Sequence, residues 1–528
     1  MSLKIFFISV KKSLDNFKLS FKDCLEHFTF SHAQFTLSIS FIKDKTIVRH
    51  IITSAKNNIK QNICIIILLY AKLKIKEITC LRYNIFMKKT LVKYPFLTKD
   101  AEIYELENGH TIVLAHKEGG LVNISSWVKT GSINENSKNN GISHFLEHLM
   151  FKGTHKHKAG DFDRILEAKG AIVNAATWKD YTFYYVTLPK GENNENFYTA
   201  IELHADMMQD PVVPDYEMGA PFDVKSKNVT DKKERHVVIE EIRMRLDQPW
   251  TKVYNACNNG LYTQHPYKMD VIGTPEIISQ VSQQEIMDYY RSFYTPENIT
   301  TIVVGDFDHE EILNKVIKEF SSWQNTKTKQ IERKIDKPKN ETVYSEQTAE
   351  ITSAFMMLGY LCAPATNLKE TIIMEIIAII LGDGSSSRLN QNLIEKVKEP
   401  VFNMVNAEHY QLKEGNNFFI QANFKPEKKD FALQQIKEQI QAIIDEKVSN
   451  DELQKAKKKI KSQFAYNAET VSEIGETIGY YMTVCGGLSQ VEEYLDVLEE
   501  ITLDDIQTCA KKYLTYNHAS VSLLVPEK

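Results

Sequence analysis

The chain has 528 residues, 43% hydrophobic and 25% charged, which at about 100–200 residues per domain gives room for two to four globular domains with sizeable cores. That balance excludes a disordered, collagen-like or disulfide-stapled protein. With 64 Lys+Arg against 69 Asp+Glu the net charge is −5, which argues against a dedicated nucleic-acid binder.

Residues 1–86 differ in character from the rest of the chain. They hold 14 Lys+Arg and 5 Asp+Glu, a net of +9, leaving 50 against 64, or −14, for the remainder. They contain no Gly or Pro to divide elements. The most apolar window, Ile63 to Ala71, is nine residues long, about half of a membrane-spanning helix, so no span is expected. Met87 opens a run that reads as an ordinary domain start, so residues 1–86 are read as an atypical extension, a leader or a mis-assigned start. The rival reading is an organelle presequence, against which stand only two arginines, Arg49 and Arg82, and interrupting acidic residues. Cys24, Cys64 and Cys80 fall here, while Cys257, Cys362, Cys485 and Cys509 lie far apart. An odd count with no C-x-x-C pair suggests neither a disulfide framework nor a Cys-ligated zinc site, and fits a reducing compartment. The bacterial cytoplasm is expected, or the mitochondrial matrix if the extension is a presequence.

From residue 102 to 130, apolar and polar residues alternate between turns at Glu107-Asn108-Gly109 and Glu118-Gly119-Gly120, predicting strands. Helical patterns succeed them near 140–152, 161–169, 194–209 and 233–247, with a β-rich hairpin at Ile172 to Leu188. A helix near 283–294 leads into a strand at Thr300 to Val304. The order then returns. Residues 281–304 align without gaps on 501–524, an offset of 220, and Glu350 to Leu361 followed by Leu368 to Leu381 repeats the strand-then-helix of 121–151. The expected fold is α+β, with two homologous halves, each a mostly antiparallel sheet with helices on one face. Boundaries are placed at 87–325 for the first half, 326–345 for a charged linker and 346–528 for the second.

The first half contains His144-Phe-Leu-Glu147-His148. Four residues apart on a helix, the two imidazoles project from one face, a spacing that suits two nitrogen ligands about 2.0–2.1 Å from zinc. Glu147 sits on the flank of that face, where a carboxylate reaches a metal-bound water without ligating the ion, the position of a general base. The pattern is the inverted form of H-E-x-x-H. Its neighbours Ile142, Phe145, Leu146, Leu149, Met150 and Phe151 are apolar, and unpaired imidazoles there would be costly. Ser143 or Ser132 is expected to cap the helix. A catalytic zinc takes a third protein ligand, and the helix at 233–247 offers Glu234 and Glu241 on one face, with Glu240 looking elsewhere. His155 and His157, among lysines after Gly153, read as surface loop.

HFLEHLMFKGT, NAATWKDYTFYYV, ERHVVIEEIRM and HPY at 265–267 together resemble the pitrilysin/insulinase family of zinc peptidases. The subgroup most similar is that of the mitochondrial processing peptidase beta subunit and its bacterial relatives. The resemblance spans roughly residues 100–525. It implies that His144, His148 and Glu241 bind one zinc, that Glu147 is the general base and that Glu234 supports the site from behind. It also implies that the strand of Asn174, Ala175 and Ala176 pairs with an extended peptide, binding main chain with little regard to side chains.

Two departures stand out. The 93 residues from His148 to Glu241 are more than the family usually has, the excess lying in the polar loop Met218 to Lys233. Beyond Arg388, where family members with a complete second half place an Arg and, seven residues on, a Tyr, this chain has Ile394 and Val401, neither able to donate a hydrogen bond. The second half carries no ligand motif either. The expectation is a zinc metalloendopeptidase forming half of a clamshell chamber around extended or leader peptides. Its partner would be a homologous non-zinc subunit that supplies the Arg/Tyr pair, or a second copy. The alternative is a non-catalytic core subunit of such an assembly; a closed regulatory zinc site is disfavoured because only three ligands are evident.

Overall fold

The computed structural model describes residues 87–225, 233–324 and 326–527. The chain divides between Phe86 and Met87 into two units. The first unit, and with it the leader and presequence readings, lies outside the described residues, as does part of the polar loop after Met218.

Seven strands form the first sheet: β1 Lys88–Val92, β2 Ala101–Glu105, β3 Thr111–His116, β4 Leu121–Val128, β5 Ile172–Thr177, β6 Thr182–Pro189 and β7 Ile299–Gly305. Their order is β1-β2-β3-β7-β4-β6-β5, antiparallel except where β3 meets β7. Five strands form the second: β8 Val343–Ala349, β9 Ala354–Leu361, β10 Phe402–Tyr410, β11 Asn417–Phe424 and β12 Ser520–Pro526. They run β10-β11-β9-β12-β8, again with one parallel pair, β12 with β8. Taken from its β5 end, the first sheet repeats this order and sense over its first five strands, β5-β6-β4-β7-β3, and adds β2 and β1. β8 starts at Val343, inside the stretch read as linker, because its residues extend the second sheet along β12.

The first half's helices are α1 Ile142–Met150, α2 Asp161–Glu167, α3 Glu195–Gln209, α4 Glu234–Asp247, α5 Pro249–Leu261, α6 Gln283–Phe293 and α7 His309–Phe320. The second half contributes α8 Leu368–Gly382, α9 Lys429–Asp445, α10 Asn450–Tyr466, α11 Val471–Thr483, α12 Ser489–Glu500 and α13 Leu503–Tyr513. The 220-residue repeat extends to chemistry at helix starts. Ser282 and Glu285 form a capping box on α6, and Thr502 and Asp505 form the corresponding box on α13, each pairing two otherwise unsatisfied amides.

Alternation along the strands sorts side chains into two cores. Ile112, Leu114, Ile124 and Val303 pack with Phe145, Ile201, Ile286 and Val316 of the first half's own helices. Their neighbours Val113, Ala115, Trp127 and Ile302 face the other way and join the second half's core, with Ile474 and Ile478 of α11. Conversely Val253, Cys257 and Leu261 of α5 pack with Met357, Phe419 and Leu524 of the second sheet. Each sheet therefore has its own helices on one face and receives a helix from the opposite half on the other. Glycines permit the close approach: a Cβ on Gly479 of α11 would lie 2.0 Å from Trp127, and one on Gly260 of α5 would lie 2.0 Å from Ser520. Among the described residues no helix is long and apolar enough to cross a membrane.

Candidate metal centre

α1 begins at Gly141, whose φ of +93° and 2.6 Å approach to the Ile272 carbonyl exclude a side chain. Neither Ser132 nor Ser143 caps the helix. The cap is the buried Glu135, whose carboxylate accepts from the amides of Gly141 at 2.7 Å and Ser143 at 2.8 Å and from the Asn140 side chain at 2.8 Å. It satisfies free amides and complements the positive helix end. Burial pushes its pKa up, against those bonds. The Ser143 hydroxyl instead meets that of Tyr289 at 2.7 Å. A carboxylate six residues upstream is not a pattern that short-range cap rules detect.

α4 packs against α1 through Val238, Ile239 and Ile242. Arg235, fully buried, fixes its first turn. The guanidinium donates to the carbonyls of Gly219 at 3.0 Å, Ile278 at 2.5 Å and Val281 at 2.8 Å, and lies 5.5 Å over the Phe145 ring, next to His144. Burial lowers its pKa to about 10. Sequence reasoning passes over Arg235, because on a helical wheel it reads as a surface cation.

The two helices bring together the three residues that the pattern suggested. Glu241 Oε2 lies 3.8 Å from His144 Nε2 and 3.6 Å from His148 Nε2, and one donor atom from each residue falls within 4.8 Å of the others. Ligands about 2.0–2.1 Å from a tetrahedral zinc stand about 3.3–3.4 Å apart, so the set fits such an ion with a small inward adjustment. The group has three protein donors among the described residues, fewer than the four that close a structural zinc site. Among the described residues this is the only such cluster.

Glu234 lies behind it. Its Oε2 is 3.2 Å from His148 Nδ1 and its Oε1 is 2.6 Å from Lys152 Nζ. Holding Nδ1 turns Nε2 toward Glu241, the tautomer-fixing arrangement of metal-ligating histidines. Burial acts to lower the His148 imidazole, but the carboxylates of Glu234 and Glu241 outweigh it and raise it to about 9. Burial and the neighbouring His148 hold His144 low. Glu241, which accepts from His148, is held below the usual carboxylate range, and Glu234 is too, despite its burial. Two anionic carboxylates thus face two imidazoles, a charge balance that a dication suits.

Glu147 is buried, and burial raises its pKa against the bond that Thr177 Oγ1 donates to its Oε2 at 2.5 Å. Thr177 is the last residue of β5, the edge strand of the sheet. Asn174, Ala175 and Ala176 lie on that strand, one side of which pairs with β6 while the other has no strand partner among the described residues. His155 and His157 do not approach the triad; they pair with Asp210 at 2.8 Å and Asp206 at 3.0 Å at the end of α3. Ile394 and Val401 pack against the second half's core. A cavity of about 840 Å³ lies between the halves, lined by Trp178, which follows Thr177, by Arg245, four residues after Glu241, and by Tyr254, Glu375, Tyr410 and Tyr480 among others; the three clustered residues and Glu147 do not line it.

Comparison with known proteins places the chain among similar sequences and folds. A zinc protease of Helicobacter pylori, PqqE, is 27% identical over 438 residues, 80% of this chain and 93% of that one. The mitochondrial-processing peptidase subunit beta of Dictyostelium discoideum is 22% identical over 455 residues, 84% of this chain and 92% of its own. The crystal structure of a Helicobacter pylori protease superposes with a TM-score of 0.72 at 25% identity, covering 84% of this chain and all of that one. The family model described as Insulinase (Peptidase family M16) matches residues 111–253, and that described as Peptidase M16 inactive domain matches residues 280–460. Matched across both halves, the chain belongs to the M16, or insulinase, family of zinc proteases.

Proposed function

We propose that this chain is a zinc metalloendopeptidase that hydrolyses extended peptides. The observation that carries this reading is the convergence of His144, His148 and Glu241 within 4.8 Å, beside a buried carboxylate that is not part of the set. Zinc held there would supply Lewis acidity, lowering the pKa of a coordinated water toward about 7 and polarising a peptide carbonyl. The chain's own residues do the rest. Glu147, its pKa raised by burial, takes a proton from the attacking water and delivers it to the leaving amine. Glu234 holds the His148 ring, and β5 aligns the substrate main chain across from Thr177. The cavity has room for a short extended segment and not for a folded domain.

The second half has no counterpart of His144 and His148 on α8, the counterpart of α1, and the inactive-domain match begins after α4. The stretch so described, residues 280–460, contains none of the three clustered residues. Because Ile394 and Val401 offer no donor, the reading includes a homologous companion subunit, or a second copy, that supplies an Arg/Tyr pair. The four described cysteines are buried and unpaired, which supports a reducing compartment such as the bacterial cytoplasm.

Elemental analysis of the purified chain is expected to give one zinc. Glu147→Gln should keep that zinc and lower turnover by ~10²–10⁴ in the presence of the companion. The wild-type chain alone should be slow. Zinc below about 0.2 per chain after metal-replete purification, or a Glu147→Gln enzyme with unchanged turnover, would favour the non-catalytic core subunit instead.

A further inference from the structure

The HPY loop at 265–267 lies outside the metal cluster, yet it is the junction of four segments. The His265 ring, buried, is 2.9 Å from Glu414 Oε2, on the loop between β10 and β11 of the second half. The same carboxylate accepts from Arg333 of the charged linker, Nε at 3.0 Å and Nη2 at 2.5 Å, and Arg333 Nη1 reaches Asn134 at 2.9 Å. Asp336 of the linker accepts from the amides of Thr263, Gln264 and His265 at 2.9–3.1 Å. The linker is thus bound to the HPY loop through Asp336 and to the β10–β11 loop through Arg333.

Tyr267 carries the second arm. Its hydroxyl donates to Asp180 Oδ1 and accepts from the Glu414 amide at 3.1 Å, while Asp180 Oδ2 accepts from the Lys413 amide at 2.9 Å. Asp180 is buried in the β5–β6 turn, which Trp178 and Tyr181 close through a main-chain bond of 2.8 Å. Lys179 of the same turn donates to the carbonyls of Tyr267 at 2.6 Å and Met269 at 3.0 Å. Three residues before Asp180 is Thr177, whose hydroxyl holds Glu147.

We propose that Asp180 and Tyr267, together with the Lys413–Glu414 main chain, are positioning residues for the hydrolytic centre. They fix the end of β5, and with it Thr177 and the Glu147 carboxylate, at a place set by the second half. The physical reason is that a hairpin end at a sheet edge is the part of a sheet most free to fray. Here its one buried carboxylate is satisfied only from the HPY loop and the opposite half. Losing the Tyr267 hydroxyl leaves Asp180 Oδ1 and the Glu414 amide without partners, which uncouples the turn from the second half without touching a metal-ligand candidate, while Lys179 and the Ser132 and Ile133 amides still hold it to the first half. The inference deepens the peptidase reading and rests on it for its catalytic consequence.

Tyr267→Phe keeps the ring and tests this directly. Amide hydrogen exchange of the whole chain is expected to quicken at least ~10-fold across residues 172–181, with exchange in β11 and β12 unchanged. Zinc per chain should stay as in wild type, and kcat with the companion should fall ~10-fold or more. Arg388→Gln, which breaks an ion pair with Glu452 remote from the clasp, should leave residues 172–181 unchanged. If Tyr267→Phe does not fold, Asp180→Asn carries the same test. Unchanged exchange at 172–181, or exchange that quickens equally in both halves, overturns the proposal. A wild-type chain without zinc or turnover would defeat the peptidase reading alone, since the exchange comparison needs neither.

Discussion

Arg235 illustrates how one side chain sets the distance between the two helices that carry the His144, His148 and Glu241 cluster. Its three bonds are all to main-chain carbonyls of loops that border α4, so nothing else in the sequence replaces them. Arg235→Ala should strand those acceptors and destabilise the fold by about 3 kcal/mol, read as a shift in denaturant midpoint. Zinc affinity should fall with it, because α4 carries Glu241. The H-x-x-E-H spacing is legible in the sequence because it follows directly from helical periodicity. The choice of Glu241 over Glu234 is not, since both lie on one helical face. What separates them is that Glu241 reaches both Nε2 atoms while Glu234 is drawn to Nδ1 of His148 and to Lys152. The N-terminal cap escapes the sequence for a related reason, since Glu135 acts through a loop whose course no local pattern describes.

Inside the first half, elements are joined by a buried polar chain as well as by apolar contact. His110 Nε2 meets Thr301 Oγ1 of β7 at 2.9 Å, Thr301 meets Ser126 of β4 at 3.0 Å, and Ser126 meets His204 Nε2 of α3 at 2.9 Å. Burial lowers both imidazoles to about 3. Unfolded, they titrate near 6.5. Between these values the unfolded chain binds protons that the folded chain refuses, so stability falls as pH drops from about 6.5 toward 3. Each histidine contributes a loss of about 1.4 kcal/mol per pH unit in that window. Denaturant melts between about pH 7 and 5 should therefore show a steep decline, shallower in His204→Gln; equal slopes would mean that the ring is not buried neutral. The strands and helices are legible wherever period and turn residues agree, as at β2–β4 and α6. Helices α9 to α12 are not, because without a motif to anchor them their amphipathic stretches carry no position in the fold.

The exchange of helices between the halves is a property of the entire chain. An apolar stripe on α11 shows that the helix is half-buried but not which sheet receives it, so the sequence pattern supplies two halves and leaves them side by side. The glycines carry the missing information. Gly479→Ala would force a methyl group into Trp127 and should cost about 1–3 kcal/mol of stability, whereas Gly120→Ala, with open space around it, should be near neutral by the same thermal melt. The exchange also has a temporal side. β7 completes the first sheet at Gly305, but the helix that covers its far face ends at Thr483. At about 5–20 residues per second on the ribosome, the roughly 180 intervening residues leave Trp127 and its neighbours bare for about 10–35 s. A nascent chain of this protein is therefore expected to depend on chaperone shelter until α11 has been made, and truncation before α11 should yield aggregates rather than a working half.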